Sequence, residues 1–254
     1  MRISAAAILC FSAVTCIAQT QGSTPGLQDG GVHEVLESII ITPIPNAPFT
    51  ATLATEWVRY AADGATMTFV NERHIARDAQ GRIYQERWWL VPKNANVKSR
   101  MNWIQISDPK QLTLFNCSPA KKMCDLMSYN PARELASTEP VRGSSGPLSD
   151  GNGNVAWEEL GRRNIAGIDT VGTRQTTTLN AGVMGNDEPL TSMREFWHSE
   201  QFGINLLSIR TGPTLGKQTF TITEFTPGDP DPQLFKVPEG FKVGDQRQNP
   251  PISH

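Results

Sequence analysis

The chain is poor in the residues that most often do chemistry. Its 254 residues include four histidines, four cysteines and three tyrosines. The histidines stand apart, so no H-x-H or H-x-x-x-H spacing offers a metal two ligands. No C-x-x-C occurs, which excludes the usual redox motif and paired zinc ligands. Excess charge is lacking too: the formal net charge is −2, a balance that gives no overall footprint for nucleic acid or an anionic membrane. Glycine-rich phosphate or dinucleotide motifs are missing. Beyond residue 18 no run is long and apolar enough to span a bilayer. Nothing here requires a cofactor or a metal.

Residues 1–18, M-R-I-S-A-A-A-I-L-C-F-S-A-V-T-C-I-A, read as a secretory signal peptide. Arg2 supplies the positive start, Ile3–Ile17 the apolar stretch and Ala18 a small residue at the cut. Fifteen apolar-rich positions fall short of the roughly 20 that a spanning helix needs. Two other fates remain open: retention as an anchor, and lipidation at Cys16, for which Ala13-Val14-Thr15 is a poor match to the usual small-residue pattern. Cleavage after Ala18 leaves a chain starting at Gln19 with Cys117 and Cys124. The intervening S-P-A-K-K-M can turn and place the two thiols opposite each other on paired strands, where an oxidising compartment would join them.

Gln19–Gly31 is polar and glycine-rich, with the composition of a disordered segment. Val32–Ile41 carries apolar residues at helical spacing but ends in the β-branched Ile39-Ile40-Ile41, so helix and strand are both open. Pro43, Pro45 and Pro48 enforce an extended connection. Together residues 19–48 form a flexible N-terminal segment, and 49–243 form one antiparallel β domain.

Within that domain Phe49–Tyr60 alternates apolar and polar residues, Asp63-Gly64 marks a hairpin turn, and Thr66–Arg77 follows. Arg82–Val91, Met101–Ser107, Gln111–Phe115 and Met123–Tyr129 complete a meander of about six strands. Asn130–Asn154 is a Pro/Gly/Ser-rich loop insertion with one helical turn at Ala132–Ala136. A second strand cluster comprises Val155–Leu160, Arg162–Ile165, Thr170–Asn180, Arg194–Ser199, Asn205–Thr211 and Lys217–Thr226. In the last, Phe220 and Ile222 alternate with Thr219, Thr221 and Thr223. Gln233–Phe235 reads as a short turn and 244–254 as a disordered tail. The class is mainly β with one or two short helices.

Candidate chemistry is sparse. His74 follows Glu72 by two residues and His198 follows Glu195 by three, but exposed pairs on a strand explain both. Asp150-Gly151-Asn152-Gly153-Asn154 begins like a calcium loop, yet Val155 replaces the sixth-position glycine and Gly161 the twelfth-position glutamate. Gly143-Ser144-Ser145-Gly146 is not a nucleophile elbow. Glu158-Glu159 and Asp229/Asp231 read as solvated carboxylates. The mild excess is in tryptophan: Trp57, Trp88, Trp89, Trp103, Trp157 and Trp197 all fall in expected strands. They either pack a core or line an apolar groove.

The F-T-A-T-L-A-T-E-W strand, R-D-A-Q-G-R-I-Y-Q-E-R, R-E-F-W-H-S-E-Q-F-G-I-N-L-L-S-I-R and P-D-P-Q-L-F-K-V-P-E-G-F-K-V resemble secreted proteins of Gram-negative bacteria. Their layout is similar to the outer-membrane lipoprotein carrier and its envelope-stress sensor relatives. The resemblance, over Phe49 to Val243, implies a strongly curved antiparallel sheet, a half-barrel, in the periplasm or secreted. It brings no catalytic motif. The Asn130–Asn154 insertion and the disulfide hairpin have no counterpart in the carrier. With such curvature Phe49, Leu53, Trp57, Met67, Phe69 and Trp103 would share the concave face as an apolar ligand groove. The implied function is non-enzymatic binding of a lipid, a lipoprotein or another envelope protein. A ligand-free interaction module and a hydrolase with strand-borne residues are the alternatives.

Overall fold

The computed structural model describes residues 38–137 and 142–247; the expected signal segment, the start of the 32–41 run and the last seven residues lie outside them. The described residues belong to one compact unit, built on a single curved sheet that does not close. Its strands in chain order are β1 Phe49–Tyr60, β2 Thr66–Arg77, β3 Ile83–Trp88, β4 Val91–Pro92, β5 Met101–Asp108, β6 Thr113–Ser118 and β7 Met123–Ser128. A short helix, α1 Pro131–Ser137, precedes β8 Gly146–Pro147, β9 Gly153–Ile165, β10 Ile168–Leu179, β11 Leu190–Ser199, β12 Ile204–Gly212, β13 Gly216–Pro227 and β14 Lys242–Asp245. The spatial order is β14-β7-β6-β5-β3-β2-β1-β13-β12-β11-β10-β9-β8, with β4 paired to β2.

The two strand clusters are therefore one sheet. They join where β1 pairs with β13, with Phe49 opposite Pro227 and Val58 opposite Lys217. This long-range ladder makes β1 the central strand. Its residues Phe49, Leu53 and Ala51 are buried with Ile75, Ile83, Phe220, Ile222, Ile204 and Leu206 in the main core. We call the face that carries this core the inner face. On the opposite, outer face the 3₁₀ turn Pro232–Phe235, capped by Asp231, lays Phe235 and Leu234 on Ala76, Tyr84 and Ile106 as a smaller core.

A bulge at Thr223 sets which side chains reach each face. Leu53 pairs with Ile222 and Thr52 with Glu224, leaving Thr223 without a partner. The extra residue reverses the alternation. Phe225 turns inward, its ring centroid 4.8 Å from that of Phe49 and 4.7 Å from that of Phe202, while Glu224 turns outward.

Several expectations are corrected. Residues 38–48 are neither helix nor strand, and they are not a loose leader. Ile39, Ile41 and Ala47 are buried in the main core, because Pro43, Pro45 and Pro48 prevent ladder bonding but not packing. The expected strand Arg82–Val91 stops at Trp88 and resumes as β4 against β2. Val155–Leu160 and Arg162–Ile165 are one strand, bent at the register shift beside Gly172. There Trp197 lies so close that a Cβ on Gly172 would stand 2.8 Å from its ring. Pairing is not antiparallel throughout, since β14 joins β7 in parallel, and this draws Gly244 and Asp245 out of the expected tail. Cys117 and Cys124 are opposite each other on β6 and β7 and form a disulfide. Closing so short a loop contributes about 2.5 kcal/mol on the chain-entropy account.

Candidate functional site

Directly paired residues in adjacent strands point to the same face, so the registers assign each side chain. On β1 and β2, Phe49, Leu53, Trp57 and Arg59 lie opposite Arg77, Arg73, Phe69 and Met67. Across β3 and β5, Arg87 lies opposite Trp103, Gln85 opposite Gln105 and Ile83 opposite Ser107. The register thus puts the six groove residues on the inner face, but at different depths. Phe49 and Leu53 are fully buried under Ile39, Ile41, Phe202 and Phe225. A ligand cannot touch them in this packing, which corrects their expected role as lining residues. Trp57, Phe69 and Trp103 are half-buried and Met67 is exposed. The Trp57 and Phe69 rings are 6.3 Å apart and tilted. Trp57 donates from Nε1 to the Leu215 carbonyl at 2.8 Å, and the Arg59 guanidinium stands 5.2 Å from its ring. Trp157 reaches the same face through the row Trp157–Gln175–Arg194–Arg210–Gln218–Trp57.

The same registers show a separation of charge that sequence reasoning missed. On β1, β2, β3, β11, β12 and β13 the inner face carries Arg59, Arg73, Arg77, Arg87, Arg194 and Arg210, and no carboxylate. The glutamates of those strands, Glu56, Glu72, Glu86, Glu195 and Glu224, all face outward. The signal was present as adjacent opposite charges within strands, Glu72-Arg73, Glu86-Arg87 and Arg194-Glu195, because neighbours in a strand point to opposite faces.

The deepest arginines are held by neutral groups. Arg77 donates from Nε and Nη2 to the Ala47 carbonyl at 3.0 and 2.8 Å, from Nη1 to that of Thr42 at 2.9 Å, and from Nη2 to that of Phe202. Its guanidinium also lies 4.9 Å from the Phe49 ring. Arg73 donates to Gln85 Oε1, the Glu86 carbonyl and Ser38 Oγ, and Arg87 to Gln105 Oε1 at 2.8 Å. Burial pulls Arg77 and Arg210 down to about 10. It pulls Arg73 to about 9, with Arg87 adding to the effect and Glu86 opposing it. Burial lowers Arg87 as well. The inner face is consequently apolar, aromatic and cationic at once.

The outer face holds two adjoining pockets along β1. One, of about 310 Å³, is lined by Thr50, Thr52, His74, Tyr84, Glu86, Glu224 and Leu234 among others. The next, of about 400 Å³, is lined by Ala54, Glu56, Val70, Glu72, Val91 and Lys93 among others. In the first, Thr52 Oγ1 donates to Glu224 Oε2 at 3.0 Å and stands 3.4 Å from His74 Nδ1. Glu86 accepts from the Tyr84 hydroxyl, Trp88 Nε1 and the His74 backbone. His74 thus meets carboxylates in a cleft, the arrangement a hydrolase would need. The hydroxyl nearest the imidazole, that of buried Thr52, donates its hydrogen bond to Glu224. His198 faces a third pocket of about 210 Å³ with Arg142, Val171, Thr173 and Glu200, its Nδ1 2.9 Å from Asn205 Oδ1. Among the described residues no group of three or more His, Cys, Asp or Glu side chains could hold a metal, and no helix is long and apolar enough to cross a membrane. Asp150 bonds Asn152 in a local turn, the plain loop that its failed calcium pattern suggests.

No family model matches the chain, and no curated protein matches it. Solved structures do, among them proteins of the lipoprotein-carrier and stress-sensor type that the sequence resembles. MucB of Pseudomonas aeruginosa, solved in complex with MucA, shares 14% identity at a TM-score of 0.38 over 78% of this chain and 58% of that one. The chain thus spans less than two thirds of that protein. An uncharacterised conserved protein of Thermus thermophilus gives 7% identity and 0.39 over 78% and 90%. LprF of Mycobacterium bovis gives 13% and 0.29 over 77% and 90%. At these scores the likeness carries no weight of its own; fold and site rest on the register of the chain's own strands.

Proposed function

We propose that this chain is an exported, non-enzymatic envelope protein that binds the acyl chain of an amphiphile on the inner face of its sheet, between Trp57, Phe69, Met67 and Trp103. One observation carries the reading. What supports it is that half-buried Trp57 and Phe69 and exposed Met67, side by side on β1 and β2, turn to the same face as half-buried Trp103 on β5, although a folded chain ordinarily buries such surface. Arg59 and Arg87, half-buried on that face, and the lack of inward carboxylates on β1–β3 suit an anionic head group, a carboxylate or a phosphate. The Cys117–Cys124 bond supports an oxidising compartment. A buried methylene gains about 0.8 kcal/mol, so a twelve-carbon chain gains about 10 kcal/mol gross and reaches micromolar binding where ordering losses are held to about 2 kcal/mol by a preformed site.

A second reading, a ligand-free interaction module, is favoured by the complete burial of Phe49 and Leu53. Tryptophan fluorescence titration with dodecanoate separates the two. A groove gives a saturable response in the micromolar range that Trp57→Ala weakens about ten-fold or more while the protein stays folded. A filled core gives no response, and Trp57→Ala then costs only stability, about 3 kcal/mol.

A further inference from the structure

We propose that the hairpin excursion at residues 89–100, W-L-V-P-K-N-A-N-V-K-S-R, docks on the surface of an anionic lipid bilayer. It leaves the sheet after β3 and returns at β5, closed by the Trp89 amide on the Arg100 carbonyl at 3.0 Å and by Ser99 Oγ on the Trp89 carbonyl. Its base is fixed to β2 through β4 and through the Lys93 amide on the Thr68 carbonyl at 2.8 Å. Between those anchors every residue from 92 to 98 is exposed.

The composition of this excursion is that of an interfacial element. Trp89 and Val97 are each 57% exposed, and at the tip of the neighbouring β1–β2 hairpin Tyr60 is 63% and Met67 47% exposed. Large apolar and aromatic side chains in water cost free energy that a headgroup layer relieves. Tryptophan and tyrosine favour that layer because the ring is apolar and its edge polar. The excursion holds Lys93, Lys98 and Arg100 and no acidic residue. Lys93 is committed to Glu56 at 2.6 Å. No hydrogen bond or ion pair engages the side chain of Lys98 or Arg100 among the described residues. Cations around an exposed tryptophan match an anionic lipid surface, whereas an apolar protein partner would need the tryptophan without them. Of the outer-face glutamates, Glu56 and Glu72 line one pocket with Val91, Lys93 and Ser99 at the base of the excursion, where Glu56 is already paired with Lys93. The inference does not depend on the inner face binding a ligand.

The test is sedimentation of the full chain with vesicles of phosphatidylcholine alone and of phosphatidylcholine with 30% phosphatidylglycerol. Docking requires partition onto the anionic vesicles only and release by salt. The partition should weaken about ten-fold or more in Trp89→Ser/Val97→Ser and separately in Lys98→Glu/Arg100→Glu. Thermal melts confirm that these exposed substitutions leave the fold intact. Brominated lipid should quench the fluorescence of the wild type more than that of Trp89→Phe. Equal partition onto both vesicle types, absence of binding to either, or retained binding in Trp89→Ser/Val97→Ser overturns the proposal. So does a concentration-dependent dimer that Trp89→Ser abolishes, which would assign the patch to a second copy.

Discussion

Arg77 sits at the point where three separate segments meet. One guanidinium bonds the carbonyls of Thr42 and Ala47 in the N-terminal segment and of Phe202 in the β11–β12 turn. These carbonyls lie outside the strand ladders, so the arginine supplies donors that no neighbouring strand can offer. Arg77→Met keeps the apolar stem but strands those acceptors, and an unfolding free energy lower by about 3 kcal/mol is expected in urea titration. Arg77→Lys, with a single point of donation, should recover only part of it. Tyr84 makes a pH-dependent contribution. Burial, then the charge of Glu86 and the hydrogen bond to it, raise the phenol above its ordinary 10.0. The unfolded chain therefore ionises first, the folded state holds the extra proton, and stability present below pH 10 is lost as pH rises through the folded value. Between about pH 9 and pH 11 the urea midpoint of the wild type should fall further than that of Tyr84→Phe. An equal fall would remove Tyr84 from the account.

At the scale of elements, the strands were legible where alternation was strict. Phe49–Tyr60 and Thr66–Arg77 match β1 and β2, and the glycines and prolines of 130–154 mark the break between the strand clusters. What local pattern could not show was pairing between distant segments. The join of β1 to β13 and the parallel β14–β7 ladder depend on contacts more than a hundred residues apart in sequence. The Thr223 bulge was half visible: Phe220 and Ile222 keep one parity, and Phe225 breaks it. Deleting Thr223 would leave Ile222 opposite Leu53, Glu224 opposite Thr52 and Phe225 opposite Ala51, so every side chain would keep its face. Exchanging the next two residues, Glu224→Phe with Phe225→Glu, would instead turn a carboxylate into the main core. A loss of at least about 3 kcal/mol, or failure to fold, is expected for the exchange in thermal or urea unfolding. An unchanged midpoint would mean that the bulge does not set the faces. Residues 38–48 show the converse limit. Their prolines exclude ladder bonding and so suggest a loose segment, yet Ile39 and Ile41 pack as deeply as strand residues.

For the molecule as a whole, β1, β2, β3, β11, β12 and β13 turn their arginines to the inner face and their glutamates to the outer one, which also carries His74, Tyr84 and Trp88. The shared face of Trp57, Met67 and Phe69 was legible in the sequence from their spacing on β1 and β2. Depth was not: Phe49 and Leu53 follow the same alternation, and only the covering segment and the Thr223 bulge bury them. The central claim is that an acyl chain lies on the inner face against the half-buried aromatics. The most direct measurement is photolabelling of the purified protein with a diazirine-bearing fatty acid, with the modified residues located by tandem mass spectrometry. Binding there places the label at Trp57, Met67, Phe69 and Trp103 and spares Thr52, His74 and Glu224, with excess dodecanoate suppressing it. Label on the outer-face residues, or label spread evenly and unaffected by competitor, would contradict it.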